Sequence, residues 1–509
     1  MVRFPFLLLA VLSLVLRATT EDADTWTGWP FFTFHTGDWQ PPRLALGDVG
    51  DNVDPGRIFM SVRNSNEEVG TAPTIYDNNG DMVWQGPNEK TMNFKQQRLH
   101  GQDVITFWDG ETGVLGYGYG SVHILDTSYR ELYTITLEDH DLVTPTGVPR
   151  ESYIDVHEHL ITPHNTIIVS AINITQADLT AVPGGGKDMW VIVPLFYEID
   201  IPTNQVLFKW DAQEHTDEIP LSKSKESFWG GETQAQPWDG YHMNSVHPMK
   251  DGYLVGIRFL WGVYYVSNKD GSVLWALTGD EDEGDFEMDN IRFSWQHDAR
   301  AYHESDTSVL VTLFNNAATR SHEDGESTAL AVNLDLENMT ASPLYNLNDP
   351  TDPLISRTQG SFQFIDEPGA SHMFVGYGST PLIKEYDQDG NVVFTAQYGG
   401  RHAQCYRAFK FPWHATPYWD PEIAVEHQDN STTDVYMSWN GATDYDSWAL
   451  YSVPSVNSSV ENGIMLATQE RTGFESHISF QNVDVKYIVA DARQGEQILR
   501  SSPIVPFRP

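Results

Sequence analysis

The sequence predicts an all-β protein, a six-bladed β-propeller, on three observations. Helical periodicity is scarce, whereas short alternating segments bounded by Gly, Asp and Asn run through the 509 residues. Several share one pattern: an alternating strand, an Asp/Asn/Gly turn, then a second strand carrying an aromatic. Ile75–Trp84, Tyr264–Trp275 and Lys384–Phe394 follow it, with looser copies around Asp126, Asp200 and Asp335. The equivalent positions 77, 126, 200, 267, 335 and 387 lie 49 to 74 residues apart, an interval suited to blades. The third observation is an aromatic content of 12% with 16 Trp, which suits strand packing or an aromatic-lined pocket. A pair of plain β-sandwiches is the alternative.

In chain order, Arg3 precedes an apolar run from Phe4 to Leu16, too short to span a bilayer and laid out as a secretory signal cleaved near residue 20. The expected division is a signal over 1–20, the propeller over 21–450 and a C-terminal β extension over 451–509. The aromatic-rich stretch Trp26–Trp39 stands outside the repeats. The segment after Pro417 reads as a closing blade or a small β appendage. No later segment is apolar enough to cross a membrane, so the expected destination is the secretory pathway, with the protein secreted or vesicular. Asn173, Asn338, Asn430 and Asn457 begin glycosylation sequons.

Lys and Arg total 30 against 71 Asp and Glu, a formal charge of −41 that repels phosphate backbones and argues against nucleic-acid binding. The single Cys405 excludes an intrachain disulfide and reads as a small buried hydrophobe. There is no P-loop and no Gly-x-Ser-x-Gly elbow, and Gly184-Gly185-Gly186-Lys187 lacks phosphate-loop spacing. Neither a cofactor nor a metal is expected, and the partners expected are small molecules.

Five clusters carry candidate chemistry. In Asp155-Val156-His157-Glu158-His159, two His on one strand face suit either a metal or plain hydrogen bonding. In Tyr241–Val246, His242 and Asn244 share a strand face and can present a base and an amide to one ligand, with Arg258 one strand later. His297, between Gln296 and Asp298 and close to Trp295, reads as pocket-lining or structural. Asn315 and Asn316 end an apolar strand before Arg320, as a turn or as ligand contacts. Cys405–Trp413 alternates as a strand and reads mostly as core.

Taken together, Tyr241–Val246, Ser294–Arg300, Leu313–Ala317 and Tyr406–Trp413, with His157-Glu158 and Ser438–Thr443, resemble the fungal branch of the arylsulfotransferase-like family of secreted six-bladed propellers over roughly residues 70 to 450. In the bacterial sulfotransferases of that family a funnel histidine accepts sulfate from an aryl sulfate and passes it to a phenol. The resemblance matches His242 and His297 to two supporting histidines and Arg320 to a sulfate-binding arginine. It puts the nucleophile in Asn346–Phe364, where this sequence has no histidine. Losing the nucleophile removes a two-step route through that position. The fungal branch also includes cofactor-free hetero-Diels–Alderases of tropolone–sesquiterpenoid (meroterpenoid) pathways, which add a quinone methide to a humulene-type alkene.

The resemblance therefore implies a pericyclase that joins an aromatic to a terpenoid partner by orientation and oxyanion stabilisation. His242, Asn244, Arg258, His297, Asn315 and Arg320 are its expected catalytic residues. Trp261, Trp295, Gln359, Tyr406 and Trp413 are its expected substrate-facing ones. The alternatives are an arylsulfotransferase using His242 or His297 as acceptor, and a non-catalytic ligand-binding protein.

Overall fold

A computed structural model describes residues 29–64, 72–87, 90–369, 371–428, 431–458 and 463–507. The expected signal segment and Asn430 lie outside them. The described chain is all-β, and its strands form successive antiparallel sheets.

The first sheet holds Arg57–Asn64, Pro73–Tyr76 and Met82–Gln85. The second holds Thr91–Leu99, Gln102–Thr112, Gly118–Leu125 and Glu131–Ile135. The third runs His159–Ile161, Thr166–Ala177, Met189–Asp200 and Gln205–Asp211. The fourth comprises Met243–Met249, Gly252–Ile257, Gly262–Ser267 and Val273–Thr278. The fifth comprises His297–Tyr302, Ser308–Asn315, Thr328–Asp335 and Thr340–Leu347. The sixth comprises Ser361–Phe364, Met373–Gly376, Leu382–Tyr386 and Val392–Gln397, with Ala45–Val49 added at its edge. Ala403–Cys405 and Phe409–Phe411 then return to pair with Arg57–Asn64, giving the first sheet its remaining edge.

All six repeat positions fall at one place, the hairpin between the third and fourth strands of a sheet. The turn chemistry explains the signal. Asp77 Oδ1 accepts from the backbone N–H groups of Asn79 and Asp81 while Gly80 takes φ 79°. Asp387 holds Asp389 and Asn391 in the same way beside Gly390 at φ 82°.

Apolar side chains between consecutive sheets form separate cores. Trp108, Val122 and Val169 lie between the second and third sheets, Phe196, Tyr241 and Val255 between the third and fourth, and Leu254, Leu277 and Val311 between the fourth and fifth. Phe314, Phe362 and Val375 fill the next gap, Ile58, Phe374 and Phe394 join the sixth sheet to the first, and Phe59, Ile75 and Phe107 join the first to the second. The sheets thus contact one another in a cycle that returns to its start. Burying both faces of each sheet supplies most of the stabilisation available to a chain without disulfides.

Beyond the sixth sheet, Glu422–His427, Thr432–Ser438 and Glu475–Gln481 form one sheet, and Ile464–Glu470, Ser447–Val453, Tyr487–Gln494 and Gln497–Ser501 another. They enclose a core of Val435, Met437, Trp448, Leu450, Ile488 and Ala490. Residues 432–438 and 447–453, which the expected 21–450 division placed largely with the propeller, are held by register to 464–493, and Glu422–His427 pairs onto Thr432–Ser438. The N-terminal stretch clasps this unit: Phe34 and Trp39 pack on Phe474, and Glu475 Oε2 accepts from the backbone N–H of His35 and of Thr36.

Candidate functional site

A cavity of about 450 Å³ opens where the inner ends of the six sheets converge. His157, His242, Arg258, His297, Arg320, Gln359 and Tyr406 line it together with Arg63, Glu226 and Gln404. Six of the residues expected from the sequence therefore meet there.

The local backbone explains how they are aimed. His242 takes φ 55°, just before the strand Met243–Met249, and Gln359 takes φ 65° before Ser361–Phe364. A left-handed residue breaks the period-two alternation, so the residue before a strand turns away from the face the strand would give it. His242 consequently faces the cavity while Asn244 does not. The Asn244 amide lies beneath, its Nδ2 donating to the Gln296 carbonyl at 2.7 Å. The shared face expected for His242 and Asn244 is thus absent. His157 and His159 also part: His157 lines the cavity, and His159 Nε2 lies 3.1 Å from Thr106 Oγ1. Among the described residues no cluster of three or more His, Cys, Asp and Glu is arranged to hold a metal ion.

Two histidines have a carboxylate behind them. Asp155 Oδ2 accepts from His157 Nδ1 at 2.6 Å, and Asp239 Oδ2 accepts from His242 Nδ1 at 2.6 Å. Each bond puts the ring proton on Nδ1 and turns the Nε2 lone pair outward. Neither Nε2 has a partner among the described residues. Burial, with His157 and Arg258 nearby, holds the His242 imidazole well below its usual range, so it is neutral. Burial pushes Asp239 up to about 7, although the Tyr117 hydroxyl (3.2 Å) and the His242 backbone N–H (3.0 Å) both donate to it. Asp155 moves the other way: burial raises it, but His157 and the Gly118 N–H outweigh that and hold it below its usual value. Tyr117 stands between the pairs, its ring 4.9 Å from His157 and 5.1 Å from His242.

His297 differs. Asn316 Nδ2 donates to the carbonyls of Ser356 and Gln359, which points Oδ1 at His297 Nδ1, 2.7 Å away. His297 Nε2 then accepts the Gln359 backbone N–H at 3.2 Å. Both ring nitrogens are used, so His297 has no lone pair to offer a substrate and cannot be the acceptor the sequence allowed.

Three arginines at the cavity have no carboxylate within ion-pair distance among the described residues: Arg63, Arg258 and Arg320. Arg258 is only 6% exposed, and its guanidinium donates to the carbonyls of Arg357 (2.9 Å) and Trp295 (3.4 Å). Burial brings it down to about 10. In a chain of charge −41, three arginines against Glu226 make the lining of this cavity locally cationic.

The other expected residues lie elsewhere. Trp261 and Asn315 line a neighbouring acidic cavity of about 930 Å³. Trp295 is buried, its indole N–H on Asp324 at 3.1 Å, and acts on the site through its carbonyl to Arg258. Trp413 is core between the first two sheets, its indole N–H donating to Tyr129. An aromatic-rich strand gives no sign of which ring reaches a cavity. The sequence reading missed Tyr117, Asp239, Arg63 and Gln404 as site residues. Only Asp239, three residues before His242, carried a readable signal. Of the sequons, Asn338 and Asn457 are exposed, while Asn173 is half-buried in a central strand with Oδ1 accepting from the Val143 N–H.

The profile of the arylsulfotransferase (ASST) family matches residues 95–399. No curated protein matches the chain. Among solved structures, a catalytically inactive virginiamycin B lyase from Staphylococcus aureus with quinupristin is similar at 6% identity and a TM-score of 0.32, covering 78% of this chain and 97% of the other. An α-L-arabinanase from Penicillium chrysogenum with arabinobiose gives 9% and 0.33, covering 70% and 92%. Likenesses this distant assign no function.

Proposed function

The chain belongs to the arylsulfotransferase (ASST) family, and we propose that it moves a sulfuryl group from an aryl sulfate to a phenol within a six-bladed propeller. The cycle of six sheets supports the architecture. The observation that carries the function is the pair of carboxylate-backed imidazoles, His157 and His242, whose free Nε2 atoms face a cavity with unpaired arginines. Arg258 and Arg320 hold the sulfate oxygens. His242 Nε2 attacks sulfur: the S–N bond forms as the bond to the aryl oxygen breaks, and the aryl oxide leaves. His157 Nε2 takes the proton of the incoming phenol, whose oxygen attacks sulfur and breaks the S–N bond. Asp155 stabilises the resulting imidazolium, which returns its proton to the aryl oxide departing in the next turnover. A histidine in Asn346–Phe364 is not needed on this route.

The test is transfer from 4-nitrophenyl sulfate to a phenol, read by mass spectrometry. We expect a sulfated acceptor with the wild type and loss of turnover in both His242→Asn and His157→Asn. Full activity in His242→Asn would sink the route.

A second reading, the hetero-Diels–Alderase of the fungal branch, is favoured by the missing histidine in 346–364 and by the apolar wall of Met92, Leu115, Val156 and Tyr406 beside Arg258. Here Arg258 would stabilise the developing oxyanion while the wall orients the alkene. Acceleration of a quinone-methide cycloaddition by protein inactive in sulfate transfer would select it. We also propose that the chain enters the secretory pathway, on the Phe4–Leu16 run and the exposed Asn338 and Asn457. A mature N-terminus near residue 20 and a mass loss with endoglycosidase are the expected results.

A further inference from the structure

We infer that Arg63 and Gln404 form a second anion subsite, in the same cavity as Arg258 and Arg320, that takes a carboxylate carried by the substrate in addition to its reacting group. The inference rests on sulfate transfer only for the identity of the other group. Arg63 belongs to the first sheet and Arg258 follows the second strand of the fourth. In the cycle of sheet contacts these two sheets are three steps apart in either direction, and both side chains line the shared cavity, Arg63 on Gln404 and Arg258 on the Arg357 carbonyl.

The chemistry at Arg63 is that of donors without acceptors. Among the described residues no carboxylate lies within ion-pair distance of it, and its Nε is buried with no partner. Among the described residues its side chain has one hydrogen bond, and that is long: Nη2 donates to Gln404 Oε1 at 3.5 Å. That oxygen also accepts from Gln359 Nε2 at 2.9 Å. With both donors on Oε1, the Gln404 amide nitrogen is left as a donor with no protein acceptor among the described residues. Glu226, the carboxylate among the cavity-lining residues, acts through its charge on Arg258. A guanidinium and an amide N–H₂ with no acceptor between them match the two oxygens of a carboxylate. Gln359 Oε1, buried beside Gln404 without a partner among the described residues, can accept from a neutral hydroxyl, so preference for a carboxylate rests on the Arg63 charge. Burial disfavours the Arg63 charge, and an anion would restore it.

Two probes test the subsite by calorimetry: phenyl sulfate, and 4-sulfooxybenzoate, which adds one carboxylate. The wild type is expected to bind the second about tenfold more tightly, roughly what one charge-assisted hydrogen bond contributes. Arg63→Met should bring the two affinities together, while Arg63→Lys should keep part of the preference and guard against a folding defect. Equal affinities in the wild type, a preference that survives Arg63→Met, or no binding of either probe would each overturn the subsite. Preference for the dianion without sulfate transfer would retire the transferase reading alone. Transfer without preference would retire the subsite alone.

Discussion

Two groups of cations gather where the six sheets meet and are treated in opposite ways. Beneath the cavity, Glu158 Oε1 lies 3.0 Å from Arg407 and 3.3 Å from Lys95, and its Oε2 lies 2.7 Å from Arg300. Asp298 Oδ1 adds Arg300 at 2.6 Å and Arg407 at 3.1 Å. Lys95 comes from the second sheet, Arg300 from the fifth, and Arg407 from the turn between the two returning strands. Glu158, just before the third sheet, ties them together. At the cavity, the buried Arg258, the half-buried Arg63 and the exposed Arg320 have no such partners among the described residues. A buried arginine ringed by carboxylates ties sheets together, whereas one without a counter-ion at a cavity leaves its charge available to an anion.

The largest effect should come from breaking the lower cluster. Glu158→Gln leaves three cations around a neutral group and should cost about 3–5 kcal/mol in unfolding free energy, read by denaturant titration. A loss below about 1 kcal/mol would mean that the cluster does not join the sheets. Next, His242→Asn should lower transfer by about 10²–10⁴-fold while leaving the unfolding midpoint nearly unchanged.

Arg258→Met sharpens the contrast because its two effects have opposite signs. Phenyl sulfate affinity should fall about tenfold, the worth of one charge-assisted contact. Stability should rise by about 1 kcal/mol, since an unpaired buried charge is removed. A drop in stability comparable to that of Glu158→Gln would erase the distinction between the two groups.

A smaller effect concerns pH. The lower cluster holds three cations against two carboxylates, and Lys95 is the surplus one. Burial, only partly offset by Glu158, lowers Lys95 from its ordinary 10.5 to about 7. Between about pH 7 and 10.5 the unfolded chain then binds more protons at this residue than the folded one. This residue's contribution to stability therefore rises with pH across that window and is lost as pH falls through 7. Lys95→Met should flatten that part of the stability curve, and an unchanged slope would refute the assignment. The smallest effect belongs to the exposed Lys250–Asp306 pair, 2.7 Å apart, where Lys250→Ala should leave the denaturation midpoint where it is.

Which parts were legible follows from the range of the interactions. The hairpins at Asp77 and Asp387 were readable because an Asp cap and a glycine at positive φ act within four residues. His242 and His297 were recognisable as candidates from their neighbours, but their roles were not. His297 is closed by Asn316, Ser356 and Gln359, groups 19 to 62 residues away, and His242 is opened by a single left-handed residue before its strand. Asn244 and Trp413 were misread because strand alternation alone does not say whether a side chain meets a cavity or the next sheet.

By itself, the sequence determined the strand class, the turn positions, the reliance on apolar cores and the surplus of negative charge, all set by composition and by contacts within a few residues. Tertiary structure decided which imidazoles keep a free lone pair, which arginines lack a counter-ion, and that Arg63 and Arg258 line one cavity. Those properties depend on partners brought together only when the last strands return to the first sheet, and the energy of a charge or lone pair is set by what lies within hydrogen-bond reach of it.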